Sequence, residues 1–418
     1  MEIPGTLKIS SNTAFQQITV LKPIKKNSTC INALMNIKWY IIWMPLPLPP
    51  QTRYNIKMNK KRVIVGMSGG VDSSVTAAIL KERGFEVIGI TMQLLPFEEQ
   101  KQSACCNLGA VSDARRVCQS LGIRHYVINS RDIFKEKVID PFVNTYKSGQ
   151  TPNPCVECNR FIKFDELLNR ADALGAHYVA TGHYCKITKS KDGQTHYLKA
   201  ANDQGKDQSY FLYMLNQATL KRLLFPLGRY TKDQIRDKAN QLNLLNANRP
   251  DSQEICFVSQ KSYRNFVESR MDESDLRPGD IKHLDGTVLG QHTGIHNYTI
   301  GQRKGLNISY NTPLYVLKID DTTNTVIVGD KDSLTQHTIA LHTFTTVSEQ
   351  PLSNTAVDIK LRYLMTPIKG KVLTSGNGQA QIKLQSSHSF ITPGQSCVLY
   401  KGDRILGGGV IDNQVMAI

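Results

Sequence analysis

The run Gly66-Met67-Ser68-Gly69-Gly70-Val71-Asp72-Ser73-Ser74 constrains this chain more than any other stretch. It follows a short apolar segment at 62–65 and opens a segment, 71–83, in which Val71, Val75, Ala78 and Ile79 share one helical face. A glycine-rich turn from strand to helix brings backbone N–H groups and the positive end of the helix against an anion. Ser68, Ser73 and Ser74 add hydroxyl donors. The Gly-Lys-Ser/Thr ending of a Walker A loop is missing, so the loop is not built for γ-phosphate transfer.

The pattern continues as alternating strand and helix: strands at 85–92, 126–129 and 178–181, and a helix at 110–121. Such alternation implies an α/β fold with a doubly wound parallel sheet covered on both faces. The middle reads as helical, with Thr231 and Gln234 as a capping box ahead of Ile235, Ala239 and Leu242. In the last hundred residues the period changes to two. Val357, Ile359 and Leu361 alternate with Asp358, Lys360 and Arg362, and the turn Ser375-Gly376-Asn377-Gly378 separates two strands. That is an antiparallel β-barrel built from hairpins. The expected division is a leader at 1–57, a catalytic α/β domain at 58–220, a central helical or mixed domain at 221–305 and a barrel at 306–418.

The leader has one acid, Glu2, against seven Lys or Arg, and ends in Pro-Leu-Pro-Leu-Pro-Pro. It reads as a transit peptide, as disorder, or as an over-extended start ahead of Met58. No apolar run reaches the roughly 20 residues of a membrane span. The nine cysteines are an odd number, which fits a reducing compartment better than a secreted disulfide scaffold. A cytoplasmic location follows, or an organelle if the leader is a transit peptide. A net charge of +16 points either to a polyanionic partner, nucleic acid first, or to a merely soluble basic surface.

Two cysteine stretches carry further chemistry. Thr151-Pro152-Asn153-Pro154-Cys155-Val156-Glu157-Cys158-Asn159 is stiff, and Arg160 and Lys163 follow it. Nearby cations are expected to lower the thiol pKa and favour thiolates. The second stretch is Asp251-Ser252-Gln253-Glu254-Ile255-Cys256-Phe257. A zinc site would want four ligands, typically a second Cys pair or a His pair at matching spacing, and none is present. A thioredoxin-like Cys-x-x-Cys would open a helix, and this loop is rich in proline. Sulfur transfer between cysteines is the third reading.

The motifs GMSGGVDSSV, TPNPxxxCNxxIKF, ATGHY, KDQSYFLY, DSQEICF, GQRKGL, TPGQS and LGGG run in order over nearly all of the chain beyond the leader. The loop resembles that of the PP-loop ATP pyrophosphatases, which split ATP between the α- and β-phosphates. The whole set resembles the tRNA 2-thiouridylases of bacterial type. The resemblance implies that Gly66 to Ser74, Met92 and Gly182 bind ATP, with Asp72 helping to place Mg²⁺. It implies that Cys158 is the nucleophile and Cys256 carries a persulfide, the two ending as a disulfide. Asn153, Pro154 and Cys155 would contact the target base. His183, Lys206, Asp207, Gln208, Arg362, Tyr363 and Gln395 would contact tRNA at its anticodon arm.

The implied reaction adenylates the C2 oxygen of the wobble uridine in tRNAs for Lys, Glu and Gln, then replaces it with sulfur. A cysteine desulfurase or relay protein would supply the sulfur to a monomeric enzyme. Many members have Asp where this chain has Cys155. Cys155, Cys158 and Cys256 could therefore hold an iron–sulfur cluster, or Cys155 could be a spectator in a persulfide mechanism. The rival reading is a PP-loop enzyme acting on a small-molecule carbonyl.

Overall fold

A computed structural model of the chain describes residues 58–96, 108–247, 249, 255–258 and 262–413. The leader, Cys30, Cys105, Cys106 and residues 251–254 of the second cysteine stretch lie outside the described residues.

Strand β1 (Asn59–Gly66) pairs in parallel with β2 (Glu86–Gln93) on one side and β4 (Ala176–Ala180) on the other. Strand β3 (Arg124–Asn129) extends the sheet beyond β2, and β7 (Leu223–Leu224) extends it beyond β4. The order β3-β2-β1-β4-β7 is wholly parallel, as a doubly wound fold requires.

Because side chains alternate along a strand, β1 sends Val63 and Val65 to one face and Ile64 to the other. Val63 and Val65 pack with Val75 and Ile79 of α1 (Val71–Glu82), Ala114 and Val117 of α2 (Leu108–Ser120), and Ile235. Ile64 packs with Phe164, Leu167 and Ala171. The fully buried aliphatic side chains on each face each contribute about 2 kcal/mol.

A helix of two α segments, Arg131–Phe134 and Asp140–Lys147, joined by a π-wound stretch, Lys135–Ile139, is α3. Helix α4 starts at Pro154–Glu157, widens into a π-wound stretch at Cys158–Glu166 and ends as Leu167–Ala173.

The middle is not simply helical. Helix α5 (Lys232–Gln241) carries the capping box formed by Thr231 and Gln234, and α6 (Tyr263–Glu268) follows. A four-stranded sheet comes next, ordered β10-β11-β8-β9, from β8 (Gly279–His283), β9 (Val288–His292), β10 (Tyr315–Asp320) and β11 (Thr325–Gly329). Its strands are short and irregular in register, so their period of two was masked in the sequence.

The C-terminal strands are β12 (Gln336–Thr346), β13 (Ala356–Lys360), β14 (Ile368–Gly376), β15 (Gln379–His388), β16 (Ser396–Lys401) and β17 (Arg404–Ile411). They run in the order β12-β15-β14-β13-β16-β17 and close when β17 pairs back onto β12. Closure leaves no free edge within the barrel. Asn377 and Gly378 join β14 to β15 with φ of 50° and 73°, the left-handed pair that a two-residue hairpin needs. The hairpin β5 (Cys185–Lys189) and β6 (His196–Ala200) leaves the catalytic sheet and pairs with β17.

Candidate active site

The sheet order reverses direction between β1 and β4, since the chain moves outward from β1 through β2 and β3 before returning to β4 on the other side. Crevices at such points, beyond the carboxyl ends of the strands, are where open α/β sheets take ligands. The loop after β1 is the glycine-serine run, and the loop after β4 holds Thr181, Gly182, His183 and Tyr184. They touch: a Cβ on Gly182 would lie 2.9 Å from the backbone of Asp72 and Ser73.

The glycine-serine loop is held by its own hydroxyls. Ser68 and Ser73 pair through their Oγ atoms at 3.2 Å, and Ser74 Oγ donates to Gly70 O at 2.9 Å. Gly69, at φ 74°, packs against the backbone of Ala110. Four residues that sequence reasoning missed brace the loop. Asn246 Nδ2 donates to Gly69 O and Ser74 Oγ, both at 2.9 Å, and Arg249 Nη1 donates to Gly69 O at 3.3 Å. Tyr184 OH donates to Asp72 Oδ1 at 2.8 Å, and Lys232 Nζ donates to both Asp72 oxygens at 2.8 Å. Lys232 lies inside the capping box, which a sequence reveals, but its burial against Asp72 depends on where α5 docks.

That ion pair corrects the expectation for Asp72. The Lys232 ammonium neutralises both oxygens of the carboxylate that was expected to meet Mg²⁺, so Asp72 as placed is a poor fit for the ion. It tethers α1 to α5 instead.

The cysteines lie on another cluster beside the sheet. Cys158 is buried among Leu95, Phe134, Phe142 and Ile162, and Phe257 belongs to the same cluster. Met92, at the end of β2, and Cys256 pack against it. Phe257 is the anchor: its ring meets Phe134, Phe142 and Phe266 at 5.2–5.5 Å between centroids. Aromatic contacts of this kind add about 1 kcal/mol each beyond the area they bury. Residues 98 positions apart in sequence thus share one apolar cluster, against which Met92 at the end of β2 also packs. Among the described residues no group of three His, Cys, Asp or Glu could hold a metal ion. The three cysteines as arranged do not fit an iron–sulfur cluster.

Two local expectations are corrected. Cys155-Val156-Glu157-Cys158 does open a helix, with Asn153 as its N-cap and Pro154 in the first position, where a missing N–H costs nothing. Nor do the cations win over burial. Burial pushes the Cys158 thiol up to about 11, against a smaller opposing effect of Lys163. Cys155 is raised for the same reason. Arg160 turns away, its guanidinium 4.9 Å over the Phe161 ring.

The loop before α4 is clamped from two other parts of the fold. Thr151 N donates to Pro393 O at 3.0 Å, Gln395 Nε2 donates to Thr151 O at 3.1 Å and Pro152 O at 3.0 Å, and Thr151 Oγ1 meets Thr299 Oγ1 at 3.2 Å. Gln395 therefore spends its amide on the protein.

His183 is buried, 2.7 Å from Thr181 Oγ1 through Nδ1, with its ring near Phe164 and Phe225; burial holds its pKa well below the ordinary value, so it is neutral. Asp207 is buried and accepts from Ala201 N, Ser209 N and Ser209 Oγ. Gln208 Oε1 accepts from Tyr184 N at 3.0 Å, which supports the loop after β4. Lys206 is partly exposed and Arg362 exposed, while the Tyr363 ring lies tilted against Phe211 with centroids 4.6 Å apart. Among the described residues no helix is long and apolar enough to cross a membrane.

Three family models match in series. A tRNA methyl transferase HUP domain covers residues 61–260, a tRNA methyl transferase PRC-barrel domain 264–330, and an aminomethyltransferase beta-barrel domain 336–411. The chain is 44% identical over 362 residues to the tRNA-specific 2-thiouridylase MnmA of Acetivibrio thermocellus, covering 85% of this chain and 100% of that one. It is 46% identical over 359 residues to the tRNA-specific 2-thiouridylase MnmA 1 of Thermoanaerobacter pseudethanolicus, covering 85% and 98%. Among solved structures, a 4-thiouridine synthetase in complex with RNA and bound ATP aligns with a TM-score of 0.31 at 18% identity, covering 50% of each chain.

Proposed function

Because the chain belongs to the tRNA-specific 2-thiouridylase family, we propose that its crevice adenylates the C2 oxygen of a tRNA uridine and its cysteines replace that oxygen with sulfur. The chain is a tRNA sulfurtransferase of the PP-loop class that uses ATP. The observation that carries the proposal is the apolar cluster shared by Cys158 and Cys256, against which Met92 at the end of β2 packs.

A carbonyl oxygen of uracil is a poor leaving group, and attack by its C2 oxygen on the α-phosphate of ATP makes it a good one. Backbone N–H groups of Gly69 to Asp72 and the hydroxyls of Ser68, Ser73 and Ser74 would hold the phosphates as pyrophosphate leaves. Met92 and Gly182 would flank the nucleotide. Cys256 receives sulfur as a persulfide from an external donor, such as a cysteine desulfurase or a relay protein. The Cys158 thiolate attacks the sulfur bonded to Cys256, forming the Cys158–Cys256 disulfide and releasing hydrosulfide. Hydrosulfide attacks C2, AMP departs, and 2-thiouridine remains. No step here runs through Mg²⁺ at Asp72 or through an iron–sulfur cluster.

A base must leave its stack to reach these groups, which costs least in a loop such as the anticodon's. Lys206, Arg362 and Tyr363 would meet the RNA, with Asn153, Pro154 and Cys155 at the target base. His183, Asp207, Gln208 and Gln395 would act from within, by holding the segments that make those contacts.

Incubation of the protein with ATP, Mg²⁺, a sulfide source and unmodified lysine tRNA, followed by nucleoside mass analysis, tests this. ATP-dependent 2-thiouridine that disappears in Cys158→Ser supports the assignment. Pyrophosphate release with a small carbonyl compound and no thionucleoside would overturn the substrate.

A further inference from the structure

The proposed reaction ends with Cys158 and Cys256 oxidised, and resting on that reading we propose that Cys155 is the resolving thiol that regenerates them. Cys155 and Cys158 stand three residues apart at the start of α4, on one side of the helix. Side chains at this spacing have Cβ atoms roughly 5–6 Å apart, and a modest adjustment reaches disulfide geometry. The two thiols feel each other, since Cys155 adds to the forces that raise Cys158. Both are free, Cys155 partly exposed and Cys158 buried.

The fold supplies the reason for such a relay. A disulfide at Cys158 would lie inside the cluster of Phe134, Phe142 and Phe257, where an outside reductant has poor access to the Cys158 sulfur. Cys155 sits three residues before it on the same helix and is held there, because Thr151 and Pro152 are clamped by Pro393 and Gln395. Attack from a fixed neighbour has a large advantage in effective concentration.

The step balances as thiol–disulfide exchange. The Cys155 thiolate attacks the Cys158 sulfur of the Cys158–Cys256 bond, a Cys155–Cys158 bond forms, and Cys256 leaves as a thiolate ready for the next persulfide. An external dithiol of the thioredoxin class then reduces Cys155–Cys158, taking up the two electrons' worth of oxidation as its own disulfide.

Trypsin leaves Cys155 and Cys158 on one peptide, 148–160, and Cys256 on another. Protein loaded with persulfide by a cysteine desulfurase and cysteine, freed of reductant, is given tRNA and ATP and quenched in acid with an alkylating agent. The expected sequence is a Cys158–Cys256 cross-link between peptides that gives way to an internal Cys155–Cys158 bond. In Cys155→Ser the cross-link, normalised to 2-thiouridine formed, persists until a dithiol is added.

A second arm needs no turnover. Cys256→Ser in a glutathione redox buffer should form the Cys155–Cys158 bond and lose two alkylatable thiols. A wild-type cross-link that stays at Cys158–Cys256 with Cys155 alkylatable overturns the proposal, as does a Cys256→Ser protein that never forms the internal bond. Absence of any 2-thiouridine from the wild type would instead reject the functional reading, and the second arm would still decide the pairing.

Discussion

Lys232 Nζ lies 2.8 Å from both carboxylate oxygens of Asp72, tying the first turn of α5 to the first turn of α1 across 160 residues of sequence. Removing one partner of a buried pair strands the other charge. Asp72 keeps 31% of its side-chain exposure, which softens the penalty. Lys232→Met should cost about 2 kcal/mol of stability by denaturant unfolding. ATP affinity, by calorimetry, should fall at least about tenfold, since the loop loses its tether. The double variant with Asp72→Asn should recover stability more than ATP affinity. An unchanged unfolding midpoint in Lys232→Met would show that the pair does not hold the two helices together.

Gly182 has no room for a methyl group. Its Cβ would stand 2.9 Å from Asp72 C and Ser73 N, and backbone cannot rotate away as a side chain can. Gly182→Ala should push the loop after β4 off the start of α1, with about 1–3 kcal/mol of overpacking strain. The fold should survive by circular dichroism while ATP binding is lost. Full ATP affinity in that variant would place the nucleotide elsewhere.

Gln395 bridges the barrel to the cysteine loop through two donated hydrogen bonds. Gln395→Leu keeps the size and removes the donors. Each bond contributes about 1 kcal/mol, so the loop should loosen without unfolding the protein. The rate of thiolation at saturating tRNA should drop about tenfold, with ATP affinity unchanged. A change confined to tRNA KM would return Gln395 to a direct RNA contact.

The Cys158 thiol, pushed up to about 11 by burial, is protonated at neutral pH in the free protein. Alkylation by iodoacetamide, followed by mass analysis of peptide 148–160 in Cys155→Ser, should rise about tenfold per pH unit between pH 8 and 10, because only the thiolate reacts. Stability moves the other way, because a thiol whose folded pKa is raised favours the folded state while it is protonated. Its contribution is full below the unfolded value and fades as pH rises through the folded one, so Cys158 adds to alkaline destabilisation from about pH 9 upward. A plateau in alkylation below pH 9 would mean a thiolate ready-made in the resting protein.

Arg362 is exposed, with one guanidinium nitrogen 3.3 Å from Thr392 Oγ1. If it meets a phosphate, Arg362→Ala should weaken tRNA binding at all sequences alike and reduce the slope of log K against log salt by about 1. An unaltered slope would leave Arg362 as a solvated charge.

The sequence by itself determined the elements whose cause is local. The glycine-serine turn, the Thr231–Gln234 capping box and the Asn377-Gly378 hairpin follow from backbone sterics and from donors within a few residues of each other. The period of two in β13 likewise announced an antiparallel strand. It also named Cys158 and Cys256, because ordered motifs over most of a chain identify a family. Only the tertiary structure decided what those residues touch. Lys232 paired with Asp72, Gln395 turned inward, a neutral His183 and a protonated Cys158 all arise from groups brought together across more than a hundred residues, or from burial. Charge, solvation and hydrogen-bond partners are properties of the space around a side chain, and that space is assembled only when the sheet, the central strands and the barrel close around it.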